Sequence, residues 1–299
     1  MSLKLNMQLC TAMVTPFDPA LRLDTERLCQ LADYLIAQGS DALVAVGTTG
    51  ESPTLSHAEK LKVFETLSQH LKGRVPLIAG TGSYSTAEAV QLSQEAEAAG
   101  ANALLVVNPY YNKPSQEGLY RHFSAVAQAV SIPLILYNHP GRTGVSLSVE
   151  TVCRLAEHEN IVAIKDSSGD LVFITELLRR LPEFSVFSGD DPLTLPILAL
   201  GGQGVISVVS HLAGREVKAL IEAFAEGDMA TAQRLNFQLL PLTRALFSAP
   251  SPAPVKAALA WCEQPVGGVR LPLIDLNDSE KQVLEGIWKS FCQEGRISA

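Results

Sequence analysis

A lysine closes the most informative stretch of the chain. Residues 160–170 read Asn-Ile-Val-Ala-Ile-Lys-Asp-Ser-Ser-Gly-Asp, and the four apolar residues before Lys165, three of them β-branched, suit a strand buried on both faces. Asp166 to Gly169 are expected to end that strand. A primary amine at a strand end reaches into a site from a rigid base, and partial desolvation favours the neutral amine that attacks a carbonyl to form a Schiff base. The same residue would also serve as a solvated lysine at a strand terminus, so its neighbours decide the matter.

Three other loops carry groups with chemical use, each directly after an apolar run. Gly47-Thr48-Thr49-Gly50-Glu51-Ser52 follows Ala42 to Val46, and Asn108-Pro109-Tyr110-Tyr111-Asn112 follows Ala103 to Val107. Asn138-His139-Pro140-Gly141-Arg142-Thr143-Gly144 follows Pro133 to Tyr137. An amine, hydroxyls, phenols and an arginine are the parts needed for carbonyl chemistry on an acid: a nucleophile, a proton relay and a carboxylate clamp. Taken singly, the glycines permit a turn, the tyrosines pack and Arg142 makes a surface ion pair. Four complementary loops on one face argue for a site.

The elements that would bring them there recur along the chain. Apolar runs start at Cys10, Ala42, Val75, Ala103, Pro133, Ile161, Phe184 and Val205, at intervals of 21 to 33 residues, the size of one βα unit. Between them lie helical periodicity and capping signals. Ser56 with Glu59 and Ser85 with Glu88 fit capping boxes, and Asp191-Pro192 fits an N-cap followed by proline at the first helical position. Eight such units predict an α/β fold, a (β/α)8 TIM barrel over residues 1–226, rather than an open doubly wound sheet. Residues 227–299 read as a C-terminal helical domain: helices over 228–247, 255–262 and 278–292, with the proline-rich 248–254 as a stiff connector. In such barrels chemistry sits where strands end. Gly201-Gly202-Gln203-Gly204 precedes the eighth run and reads as a turn on the opposite face. Ser210-His211-Leu212 after that run lacks the glycines of a phosphate site, which argues against a phosphorylated sugar.

Composition narrows the partners. A net charge of −8 with no basic cluster excludes nucleic acid and anionic membrane surfaces and leaves small molecules. Five cysteines without a CxxC pair imply a reduced cytoplasmic protein, and the nearest histidines, His57 and His70, are thirteen apart, so neither a metal nor another cofactor is expected. The N-terminus carries no cleavage signal and no apolar run has spanning length.

The motifs together resemble the Schiff-base pyruvate aldolases, the family of dihydrodipicolinate synthase and N-acetylneuraminate lyase. The resemblance covers the whole chain: TAMVTPF at 11–17, GTTGES at 47–52, IAGTG at 78–82, NPYYNKPSQEGLYRHF at 108–123, LYNHPGRTG at 136–144, IKDSSGD at 164–170, SGDD at 188–191 and GGQGVISV at 201–208. It implies that Lys165 forms an imine with pyruvate and that Thr48, Tyr137 and Tyr111 relay protons, Tyr111 entering from a neighbouring subunit of a homotetramer built as a dimer of dimers. It further implies that backbone groups around Thr48 and Thr49 hold the pyruvate carboxylate, that Gly189 and Ile206 line the pocket, and that Arg142 clamps aspartate-4-semialdehyde. The reaction so implied belongs to the diaminopimelate route to lysine. Asp166-Ser167-Ser168 departs from the Glu-Ala-Thr of many synthases, which leaves a sibling lyase or dehydratase acting on a sugar acid as the alternative. The resemblance also points to an effector site for lysine around His57, Lys60, Tyr84, Glu88 and Tyr110. Lys60 and Tyr84 stand there where lysine-sensitive members have histidine and asparagine, so weak or absent feedback is expected.

Overall fold

The computed structural model describes residues 7–297; residues 1–6, on which the reading of the N-terminus partly rests, lie outside the described residues. Strands β1 (Leu9–Ala12), β2 (Ala42–Ala45), β3 (Leu77–Gly80), β4 (Ala103–Val107), β5 (Leu134–Asn138), β6 (Ile161–Asp166), β7 (Ser185–Ser188) and β8 (Gly204–Ser207) pair in order, all parallel, and β8 returns to β1. The expected barrel is therefore the observed one. Helices α1 (Thr25–Ala37), α2 (His57–Leu71), α3 (Thr86–Ala98), α4 (Gln116–Ala129), α5 (Pro140–Thr143), α6 (Val149–Leu155), α7 (Leu171–Arg180), α8 (Thr194–Ala199) and α9 (Ser210–Ala225) occupy the crossovers. Then follow α10 (Met229–Leu246), α11 (Ala253–Leu259) and α12 (Asp278–Ile297).

Side-chain alternation divides the core in two. Ala42, Val44, Ile78, Ala103, Leu105, Ile135, Tyr137, Ala163, Phe187 and Ile206 fill the barrel, while Leu43, Ala45, Leu104, Leu134, Leu136 and Ile164 face the helices. A bulge in β6 sets two of its residues against one step of β5, and beyond it Ala163 pairs with Ile135, Lys165 with Tyr137 and Asp166 with Asn138. Lys165 thus shares the inward parity of Ala163. Asp166 is the last residue of β6 rather than the first of the loop, because its backbone continues to pair with Asn138 on one side and Ser188 on the other.

Three local expectations change. Ser56 and Glu59 do form a capping box, but Ser85 caps α3 alone, because Glu88 turns back to accept from Ser83 Oγ at 2.8 Å. Asp191 does not cap a helix; it accepts from Ser207 Oγ at 2.5 Å and from the amides of Val208 and Val209, tying the end of β8. The proline-rich stretch is no spacer, since residues 251–256 are buried and Ala253, Val255 and Leu259 join the same apolar cluster as the barrel's helix-facing residues. Among the described residues no helix is long and apolar enough to cross a membrane.

Candidate active site

The C-terminal ends of the strands surround a cavity of about 220 Å³. Thr48 from the loop after β2, Tyr110 from the loop after β4, Tyr137 from β5 and Arg142 from α5 line it together. Lys165 stands directly beside it: Nζ lies 4.3 Å from the centroid of the Tyr137 ring, and the residue is only 5% exposed. Among the described residues none is in hydrogen-bonding or ion-pairing contact with that amine, which leaves its head free to react. A buried lysine with no carboxylate in contact, Asp190 and Asp191 acting on it only through space, is a costly placement for stability and a useful one for chemistry.

Gly189 explains how the lysine side chain passes. A Cβ there would lie 2.0 Å from Ser167 Oγ and 3.0 Å from both the Asp166 carbonyl oxygen and Lys165 Cε, so a larger residue would push Ser167 aside and crowd the Lys165 side chain. Ile206 sits in the barrel interior in the same cluster as Tyr137, and Thr49, next to Thr48 in the same loop, is buried. The main-chain ends of the strands are locked from outside. Asn108 Nδ2 donates to Asn138 Oδ1 at 3.0 Å, and Asn138 Nδ2 donates to Asp166 Oδ2 at 2.7 Å. This buried ladder ties the ends of β4, β5 and β6 together behind Tyr137 and Lys165. Burial raises the Asp166 carboxyl above its ordinary range despite the donors from Ser168 and Asn138. Asp166 and Ser168 therefore belong to the supporting layer, whereas Ser167, the middle residue of the departure, shares with Lys165 the space at Gly189.

His139 was not among the residues singled out for chemistry. Its ring meets that of Tyr137 edge-on at 5.8 Å, and burial, with Arg142 and Lys165 nearby, holds its imidazole down at about 4, so it is neutral near pH 7. Its place one residue after Asn138 in LYNHPG was the available signal.

Tyr111 is not gathered into this cavity. It is 92% exposed, its backbone is left-handed at φ 74°, and it does not line the cavity. The proposed effector residues divide. Tyr84 packs edge-on against Tyr110 at 5.5 Å, Glu88 lies near both Tyr110 and Lys60, and burial lowers the Lys60 ammonium against the pull of Glu88. His57 stands apart, paired with Glu95 at 2.7 Å.

A free buried amine beside a phenol and a threonine, at the strand ends of a closed parallel barrel, defines the class: a (β/α)8 lyase working on carbonyl compounds. Known proteins give the particular family. The profile of the dihydrodipicolinate synthetase family matches residues 6–290, and the chain belongs to that family. It is 53% identical over 278 residues to the 4-hydroxy-tetrahydrodipicolinate synthase of Bacillus velezensis, covering 93% of this chain and 96% of that one. The crystal structure of dihydrodipicolinate synthase from Bacillus anthracis superposes with a TM-score of 0.94 at 47% identity, covering 95% and 98% of the two chains. That of the Cyanidioschyzon merolae enzyme with lysine bound gives 0.93 at 42% identity, with the same coverage.

Proposed function

We propose that this chain catalyses the 4-hydroxy-tetrahydrodipicolinate synthase reaction, joining pyruvate to L-aspartate-4-semialdehyde through an imine on Lys165. The single observation that carries the assignment of roles is the placement of the Lys165 amine over Tyr137 beside a cavity that also holds Thr48 and Arg142. Lys165 Nζ attacks the pyruvate ketone, a carbinolamine forms, and loss of water gives the imine. Tyr137 and Thr48 carry the protons that this dehydration and the later steps require. Removal of a methyl proton turns the imine into an enamine, whose carbon attacks the aldehyde of the acceptor. The acceptor's own amine then takes the imine carbon from Lys165, closing the ring and freeing the enzyme.

Main-chain groups at Thr48 and Thr49 hold the pyruvate carboxylate, Gly189 and Ile206 shape its pocket, and Arg142 clamps the carboxylate of the semialdehyde. The sugar-acid alternative loses its footing with Asp166 turned outward and with relatives above 50% identity named as synthases. The exposure of Tyr111 supports its use by a neighbouring subunit, within a homotetramer built from tight dimers, in the cytoplasm. Lys60 supports weak lysine feedback: its ammonium already faces Glu88, the carboxylate a bound effector would need. Pyruvate with borohydride, followed by peptide mapping, tests the central assignment. An adduct on Lys165 and turnover of the semialdehyde are expected; an adduct elsewhere removes the reading.

A further inference from the structure

The loop that presents Thr48 and Thr49 holds an unfavourable backbone. Val46 has φ 57° and Glu51 φ 56°, both left-handed and neither glycine. Such residues persist only where the surroundings over-determine them. For Glu51 those surroundings come from the far end of the chain. Glu51 Oε1 lies 2.6 Å from Lys256 Nζ, with side chains 0% and 1% exposed, and Glu51 Oε2 accepts from the Arg270 backbone amide at 2.9 Å. Lys256 also donates to the Gly268 carbonyl at 2.8 Å. Its ammonium and the Arg270 guanidinium lie 4.1 and 4.2 Å from the centroid of the buried Phe17 ring. Arg270 reaches on to the Thr54 carbonyl and to Glu59, the residue that closes the capping box of α2.

A buried ion pair contributes little net stability, because desolvating both charges offsets their attraction. Position is what this one supplies. The carboxylate of the loop is seized at both oxygens, by groups that no other part of the loop's own βα unit provides. We infer that Lys256 and Arg270, in the segment after α10, are positioning residues for the reaction: Lys256 through Glu51, and Arg270 through its main-chain amide on Glu51 and its guanidinium on the Thr54 carbonyl and Glu59, hold the 47–52 loop where Thr48 and Thr49 meet the bound keto acid. The inference rests on the proposed role of that loop, which the Lys165 adduct tests separately in the unaltered enzyme.

Conservative changes test it best. Glu51→Asp keeps the charge and shortens the reach, Lys256→Arg keeps the charge and alters its head, and Arg270→Lys acts at the more exposed edge. Each is compared with the unaltered chain for melting temperature, for kcat and KM toward pyruvate and semialdehyde, and for the rate of borohydride trapping. Displacing catalytic groups by a fraction of an ångström is expected to lower kcat/KM for pyruvate roughly 10- to 100-fold and to slow trapping on Lys165 in parallel, in protein that remains folded at the assay temperature. The double variant Glu51→Asp/Lys256→Arg should fall no further than the worse single change, as groups acting through one contact do. Variants that melt at lower temperature yet keep kcat/KM and trapping within twofold of the unaltered enzyme would reduce the clamp to a stabilising contact. Losses that add in full in the double variant would likewise overturn the coupling, and so would losses confined to KM for the semialdehyde with trapping on Lys165 unchanged. Should Glu51→Asp or Lys256→Arg fail to fold, the same kinetic criteria applied to Glu51→Gln, which keeps an acceptor for the Arg270 amide and loses the charge pair, and to Arg270→Lys, which alters the guanidinium contacts with Thr54 and Glu59, decide the question.

Discussion

Among the described residues two lysines lie almost wholly buried, and their settings differ. Lys165 is 5% exposed and Lys256 3%, and each ammonium rests over an aromatic ring, Tyr137 at 4.3 Å and Phe17 at 4.1 Å. Lys256 is committed: Glu51 and the Gly268 carbonyl hold it, and burial lowers its ammonium while Glu51 pulls the other way. Lys165 has the ring and an open cavity beside it. Burial alone therefore does not make a nucleophile. What separates the two is direct contact: Glu51 is bonded to Lys256, whereas Asp190 and Asp191 act on Lys165 only through space and leave it beside a cavity in which a carbonyl compound can sit.

The largest effect that could break this comparison is loss of the amine. Lys165→Ala should lower kcat by at least about 1,000-fold, with no pyruvate adduct after borohydride treatment. Mass mapping that found the adduct on Lys256 in unaltered protein would show that the ion pair does not protect it. Next, the Lys165 region should divide into a pyruvate half and an acceptor half. Arg142→Ala is expected to cost roughly 10- to 100-fold in kcat/KM for the semialdehyde, the worth of a charged hydrogen-bonding clamp, with trapping of pyruvate retained. An unchanged specificity constant would detach Arg142 from the acceptor.

The two regions should also differ in self-sufficiency. The Lys256 cluster is complete within one chain, whereas the proposed relay beside Lys165 needs Tyr111 from a neighbour. Inactive Tyr111→Phe and Lys165→Ala subunits, mixed under exchange conditions, should regain about a quarter of full activity, since half the random dimers carry one complete site. No recovery despite measured exchange would place the relay inside one subunit. Lys60 is an intermediate case, a half-buried lysine near a carboxylate on the surface. The smallest expected effect is the response to free lysine, with no half-inhibition below about a millimolar, because a second ammonium is repelled where one already faces Glu88. Sub-millimolar inhibition, read by titrating the purified enzyme, would show that Lys60 swings aside.

The barrel was legible in the sequence because βα units announce themselves locally. Apolar runs of strand length, capping residues such as Ser56 with Glu59, and a period near thirty residues depend on neighbours within one or two helical turns, and strand alternation carried Lys165 and Tyr137 to the same interior. Residues joined across the fold left no such trace. Nothing near Asp191 says that its carboxylate holds the end of β8, nothing near Glu88 says that Ser83 draws it from the cap, and nothing near Asp166 says that it faces Asn138 rather than a substrate. Glu51 and Lys256 stand more than 200 positions apart, and their pairing exists only because barrel closure and the packing of α10 and α11 bring them together. Side-chain type and spacing determined which chemistry the chain carries; contacts of long sequence separation, which have no periodicity to betray them, decided what holds that chemistry in place.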